Sequence, residues 1–217
     1  MSKPLFAFDS GWREKGFFLL AGVDEAGRGP WAGPVVAAAV VLKPETDWTG
    51  LNDSKKMSPA ARDRFYDVIR SEALFHAVAF ASAETIDAQN ILKASLGAMA
   101  EAVGKLGAAP SLILVDGNQS IPQLPARLQK TVVGGDGLSA SIAAASVLAK
   151  VTRDRWMADA HRQYPAYGFD RHKGYGTPDH AEALRRHGPC AIHRKSFAPV
   201  RATLAPQCPL PPACSPN

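Results

Sequence analysis

Phe17-Phe18-Leu19-Leu20-Ala21-Gly22-Val23-Asp24-Glu25-Ala26-Gly27-Arg28-Gly29-Pro30 is the stretch that decides how the chain is read. An apolar run closed by glycine and proline predicts a buried strand over residues 17–24 that stops abruptly. Two carboxylates at the mouth of a buried strand are costly unless something cationic meets them. A divalent metal is the simplest such partner. The turn that follows offers Arg28 and the unhindered backbone N–H groups of its glycines, which suit a phosphate or a sugar hydroxyl. Acids able to hold a metal, next to a turn of that kind, point to phosphodiester chemistry.

Outward from that stretch, Val35 to Leu42 is nearly all apolar and predicts a second strand, buried on both faces. Leu51 to Lys56 reads as a polar loop. Ser58-Pro59 supplies an N-cap and a proline at the first helical position, so a helix is expected to about Ser71. Leu74 to Ala81 reads as a third strand. Thr85 to Leu106 reads as helix, with a break near Asn90, and Gly107 as its stop. Ser111 to Asp116 and Gln129 to Val133 are short strands. Ser139 to about Arg162 is a long helix, rich in small residues at first and charged later. Pro165 to Gly176 is expected as loop and Pro178 to His187 as a short helix. The last dozen residues hold five prolines and predict disorder. The element order suggests an α/β fold with a mixed central sheet flanked by helices.

Three of these strands lead to an acid beside glycine: Asp24-Glu25, Asp116 and, after Gly134-Gly135, Asp136. Sites in open α/β sheets gather at strand ends. Four carboxylates converging there would suit Mg²⁺ or Mn²⁺, hard ions that keep positions for water and phosphate. Any one of these acids could merely cap a turn; three such coincidences in one chain weigh against that. Neighbouring side chains on a strand point to opposite faces. Asp24 and Glu25 can therefore share an ion only if the strand ends or twists between them, or if Glu25 contributes its backbone carbonyl.

Composition bounds the rest. The length of 217 residues fits one domain or one domain with a small appendage. No apolar run is long enough to span a membrane. The opening residues lack the apolar stretch of a signal peptide, and three cysteines make no disulfide framework. The expectation is a cytoplasmic, reduced protein. The net charge of +5 is unevenly spread: Lys150 to Arg201 holds eleven Lys/Arg against five Asp/Glu, and five of the six histidines. That segment suits a polyanion-binding face, although charge alone would equally fit a solvated basic helix.

Other motifs carry less. Gly27-x-Gly29-x-x-Ala32 matches a dinucleotide fingerprint in spacing, but Pro30 interrupts it and a strand follows where a helix should start. There is no Walker A sequence. His187-x-x-Cys190-x-x-His193 resembles half a zinc site without a fourth ligand and is read as a structural loop. Asp154, beside Arg153 and Arg155 in a helix, is read as an ion-pair residue.

Taken together the motifs resemble ribonuclease HII. The resemblance runs in order through Gly22-Val23-Asp24-Glu25-Ala26-Gly27-Arg28-Gly29-Pro30, Asn52-Asp53-Ser54-Lys55, Val115-Asp116-Gly117-Asn118 and Gly135-Asp136. It continues through Ala143 to Asp154, His172-Lys173-Gly174-Tyr175-Gly176-Thr177 and His193-Arg194-Lys195-Ser196-Phe197. It implies an RNase H-like fold over residues 17–204, with a small helical extension from about 160, after a lead segment of residues 1–16 and before a proline-rich tail of residues 205–217. It implies a metal-dependent endonuclease, using Mn²⁺ or Mg²⁺, that cuts RNA in RNA–DNA hybrids and at single ribonucleotides in DNA. Asp24, Glu25, Asp116 and Asp136 would be the metal-binding acids. Gly27, Arg28 and Gly29 would contact the ribose 2′-OH, Tyr175 the next deoxyribose, and Ser54 and Lys55 the phosphates. A monomer is expected. A ribonuclease HIII reading would call for an N-terminal substrate-binding domain, for which fewer than twenty residues before the first strand leave no room. A binding module with a dead site would have lost at least one of the four acids.

Overall fold

The structure, a computed structural model, describes residues 4–204. Five strands form one sheet: β1 (Leu20–Ala26), β2 (Val35–Val41), β3 (Phe75–Ala81), β4 (Leu112–Asp116) and β5 (Gln129–Val132), in the order β3-β2-β1-β4-β5. The pairs β1–β2 and β2–β3 are antiparallel, whereas β1–β4 and β4–β5 are parallel. The sheet is mixed, as the element order suggests.

Helices cover both faces, which is why β2 is apolar at every position. Ala37, Ala39 and Val41 pack into the cluster that includes α4 (Ile91–Gly104). Ala38 and Val40 pack into the cluster on the other face, with α2 (Pro59–Glu72) and α5 (Ala140–Gln163). Ser58 caps α2 through a hydrogen bond from Ala61 N. The expected break at Asn90 is present: α3 (Ala83–Gln89) ends there, Asn90 adopts φ 74°, and its Oδ1 accepts the first N–H groups of α4. Further on come α6 (Phe169–His172), α7 (Pro178–His187) and α8 (Ala198–Ala202). The four-residue α6 lies inside the segment expected to be loop. Among the described residues, no helix is long and apolar enough to cross a membrane. The tail 205–217, with Cys208 and Cys214, lies outside the described residues.

The small-residue start of α5 lets it lie directly on β1. A side chain at Gly22 would collide with the backbone of Ser141 and Ile142, so only glycine permits the approach. Ser139 caps α5, and its N–H bonds to Gly135 O at 2.8 Å. The helix start thereby carries the Gly135–Gly137 turn, and with it Asp136, to the end of the sheet.

Two elements depart from the sequence reading. The first strand runs on to Ala26, because Glu25 and Ala26 still pair with Ala37 and Val36 of β2; at its other end, Phe17 and Phe18 lie outside it. The lead segment contains α1 (Pro4–Arg13). Leu5 buries against the core, and Asp9, fully buried, ties α1 to the start of α5. Its Oδ1 accepts the Ser139 hydroxyl at 2.6 Å; its Oδ2 accepts Ser141 N–H at 2.9 Å and the Ser141 hydroxyl at 2.7 Å. Burial raises its pKa against these bonds, while the positive end of α5 favours the charge. Asp9→Ala would strand two hydroxyls and an N–H, at a cost of about 2–4 kcal/mol. Thermal melts should show a fall of several degrees; an unchanged melting temperature would mean that α1 does not support the α5 start.

Candidate active site

At one end of the sheet β1 and β4 each present acids. Asp24 and Glu25 occupy successive positions of β1, opposite Ala38 and Ala37. Asp24 belongs to the α5 face and Glu25 to the α4 face, so the strand does not end between them. Asp24 is only 5% exposed; its Oδ1 accepts the Glu25 N–H at 2.7 Å. Burial pushes its carboxyl well above the usual range, and the charges of Glu25 and Asp116 push it further, with the Ser146 hydroxyl opposing. Burial also raises Glu25, against the nearby Arg28 guanidinium, whose Nη1 stands 3.4 Å from Oε1.

Asp116 closes β4, and its Oδ1 accepts Gly135 N–H at 2.7 Å. Its carboxyl is raised by burial first and by Asp136 second. Asp136 is buried in its turn, 3.1 Å from Lys55 Nζ. Burial works against the Lys55 ammonium, but its hydrogen bond to Asp136 and the charges of Asp136, Asp24 and Asp53 raise its pKa. The Lys55 turn is fixed from below: Asp53 accepts Lys55 N–H, and Arg62 donates to Ser54 O and Met57 O. The Ser54 and Ser146 hydroxyls lie 2.8 Å apart.

Asp24, Glu25, Gly27, Arg28, Gly29, Ser54, Lys55 and Tyr175 line one cavity of about 390 Å³, with Ser146, Lys150 and Arg153. Asp116 adjoins it across Glu25, the two sharing a smaller cleft beside α4, and Asp136 adjoins it through Lys55. The acids thus act on one another's charge. As they stand, among the described residues, no group of three His, Cys, Asp or Glu side chains is gathered to hold an ion. Donor chemistry nevertheless fits a hard divalent cation: the carboxylates raise one another's pKa, and the cations that meet them directly, Lys55 at Asp136 and Arg28 at Glu25, are flexible side chains.

Two buried arginines, unmarked in the sequence as site residues, hold the turn. Gly27 has φ 97°, and a side chain on it would strike Arg153. Arg153 is 1% exposed and donates from Nε to Pro34 O, from Nη1 to Lys173 O and from Nη2 to Ala32 O, at 3.0–3.1 Å. Arg194 donates to Gly33 O at 2.9 Å, Arg28 O at 2.9 Å and Gly27 O at 2.5 Å. Burial lowers Arg153 to about 10 and, with Arg153 beside it, Arg194 to about 9, so both stay charged at neutral pH. Tyr175 is half exposed, with its ring edge 3.7 Å from where a Gly29 side chain would begin. Ser146 is a third residue missed, hidden within an alanine-rich helix that reads as packing.

The weaker motifs take structural roles. His193 Nδ1 accepts the Cys190 N–H, while His187 packs edge-on to Tyr167, so the spacing builds a loop. Asp154 pairs with Lys150 at 2.8 Å.

A mixed sheet of this order, flanked by helices and with acids at one end, is the architecture of the RNase H-like hydrolases. Ribonuclease H2 of Pyrococcus horikoshii OT3 superposes with a TM-score of 0.71 at 24% identity, covering 85% of this chain and 96% of that one. RNase HII of Archaeoglobus fulgidus, solved in complex with PCNA, gives 0.63 at 28% identity over 77% and 87% of the two chains. Bst-RNase HIII in complex with Mn²⁺ shares the fold, with a TM-score of 0.66 at 19% identity over 85% of this chain and 68% of its own. The Ribonuclease HII profile matches residues 21–200, and the ribonuclease HII of Burkholderia pseudomallei (strain 1710b) is 57% identical over 183 residues, 84% of this chain and 85% of that protein. The chain belongs to the Ribonuclease HII family. It is a hydrolytic ribonuclease H, an endonuclease acting on RNA–DNA substrates.

Proposed function

We propose that this enzyme nicks duplex DNA on the 5′ side of a single embedded ribonucleotide, besides cutting longer RNA in hybrids, and leaves 5′-phosphate and 3′-hydroxyl ends. Its role would be ribonucleotide removal and RNA primer degradation, as a cytoplasmic monomer. The observation that carries this reading is the meeting, in one cavity, of buried acids, the Gly27–Gly29 turn and the Tyr175 ring.

Asp24, Asp116 and Asp136, with Glu25 through a twist at the strand end or its backbone carbonyl, would hold Mg²⁺ or Mn²⁺; the Mn²⁺ complex of the fold relative Bst-RNase HIII is consistent with such an ion. A pair of ions held there would supply an activated water and charge stabilisation for the leaving 3′-oxygen. The chain's own groups supply the selection. The 2′-OH is what separates RNA from DNA, and backbone groups of Gly27 and Gly29, fixed by buried arginines, read it more rigidly than side chains could. Tyr175 stacks on the following deoxyribose. Lys55 and Ser54 meet phosphates near the scissile bond, and Lys150 with the basic segment holds the duplex in a salt-dependent, sequence-independent way.

The deciding assay uses duplexes with one ribonucleotide, four ribonucleotides or none, in Mg²⁺, Mn²⁺ or EDTA. Metal-dependent nicking 5′ of the single ribonucleotide is expected. Cutting only the four-ribonucleotide tract would favour a specificity like that of ribonuclease HIII. Tyr175→Ala should slow single-ribonucleotide nicking roughly tenfold to a hundredfold, the ~1–3 kcal/mol of an aromatic stacking contact, and affect the longer tract less. Equal slowing on both would remove Tyr175 from junction reading.

A further inference from the structure

We propose that His193 and Arg194 set the spacing between the Gly27–Gly29 turn and the Tyr175 ring, and are therefore specificity-determining positioning residues for the ribose–deoxyribose junction. The inference rests on the reading of those two elements given above.

The two residues are neighbours in sequence but reach in different directions. Arg194 spreads its guanidinium under the turn, donating to the carbonyls of Gly27, Arg28 and Gly33. His193 reaches the Tyr175 loop through a second histidine. The Cys190 N–H donates to His193 Nδ1 at 3.0 Å, so that nitrogen is an acceptor and the proton of the neutral ring sits on Nε2. From there it donates to His180 Nε2 at 3.0 Å. His180 must then carry its own proton on Nδ1, which lies 2.9 Å from the Tyr175 carbonyl oxygen. Each nitrogen has one role, and the chain of bonds runs in one direction, from Cys190 to Tyr175. The Cys190 thiol, 3.1 Å from His193 Nδ1 and pushed by burial towards its protonated form, faces the same acceptor. Burial keeps both rings neutral, with His193 lowered to about 4.

Backbone bonds tie the same segments together. Ala32 bridges His193, Gly33 N–H donates to Ile192 O, Arg194 N–H to Trp31 O, and Trp31 N–H to Gly174 O. The Trp31 ring fills the space a side chain on Gly176 would need. The turn and the tyrosine, about 150 positions apart in the chain, are therefore held to one short segment. Reading a ribose and the next sugar at once requires a fixed separation of that kind.

Two measurements test this. Side-chain ¹⁵N NMR of the wild-type protein at pH 7 should find His193 protonated on Nε2 and His180 on Nδ1, the less common tautomer. A His180 proton on Nε2, or a charged ring at either position, overturns the relay whatever the variants do. In nicking assays, His193→Ala should lower the ratio of single-ribonucleotide to four-ribonucleotide cleavage by about fivefold, the worth of one buried hydrogen bond. The fall should lie in kcat, with KM for the duplex little changed. His193→Gln, whose amide can still donate towards His180, should recover most of the ratio. Arg194→Lys should lower it as well, since a point charge cannot fork to three carbonyls. In a Tyr175→Ala background, His193→Ala should change the ratio no further. Equal losses on both duplexes, a glutamine no better than alanine, or independent effects of His193 and Tyr175 would refute the positioning role. If Tyr175→Ala alone leaves the ratio unmoved, the junction reading fails instead. A His193→Ala protein that does not fold leaves the tautomers and the glutamine variant to decide.

Discussion

Asp24→Asn should reduce cleavage by a factor on the order of 10³ or more and at the same time raise the melting temperature at neutral pH. The activity loss follows from removing the most buried of the four acids, the one closest in charge to both Glu25 and Asp116. The stability gain follows from the same environment. A carboxyl whose folded pKa lies above its unfolded value of ~3.9 binds its proton more tightly in the folded chain. Its contribution to stability is complete below the unfolded pKa and is lost as pH rises through the folded one. As pH rises, the folded wild type must either keep its proton or take on a desolvated, repelled charge, and the neutral amide of the variant faces neither demand. The amide oxygen can still accept the Glu25 N–H that Asp24 accepts at 2.7 Å. Nicking assays with melts at pH 4 and pH 7 check both halves: the variant's advantage in melting temperature should shrink at the lower pH. An active variant would remove Asp24 from the chemistry, and an advantage independent of pH would mean that its carboxylate is not under strain.

Arg153→Met should cost about 3–5 kcal/mol of stability, because it removes the guanidinium's hydrogen bonds to three carbonyls, two of them buried, while filling most of the side-chain volume. At the usual sensitivity for a chain of this size, that lowers the melting temperature by about 10 °C. Activity at room temperature should fall too, since Pro34, Ala32 and Lys173 are the points where the glycine turn, the start of β2 and the Tyr175 loop meet. Arg153→Lys should recover little of either. Circular dichroism melts decide the matter: a shift under about 2 °C would show that these carbonyls find other donors and that the turn is held by packing.

What the sequence makes legible depends on whether the cause is local. Val35–Val41 reads as a doubly buried strand because helices on both faces leave no polar position. Ser58-Pro59, Asn90 and Ser139 mark helix starts through caps that act within three residues. The acids stand out because charge at the end of an apolar run is unusual wherever it lies. The over-run of β1 is illegible because it depends on partners in β2, and so is the consequence that Asp24 and Glu25 face opposite sides of the sheet. The α1 helix has Gly11 inside it and is fixed by Asp9 reaching residues 130 positions away. Arg153 and Arg194 look in sequence like two more members of a basic segment. Their burial depends on carbonyls 20 to 167 positions distant, five of the six more than a hundred away, and nothing local marks it. The basic excess read as a surface for polyanions is therefore in part internal scaffolding.

The ammonium of Lys55, 3.1 Å from Asp136 at the edge of the cavity, gives the acids at the sheet end a counter-charge that belongs to the chain itself. Acids of one sign crowded at the end of a sheet would ordinarily resist compaction until a counter-charge arrived from solution. Here the chain brings its own, on a long stem whose side chain is mostly in water and can be displaced without disturbing the packed interior.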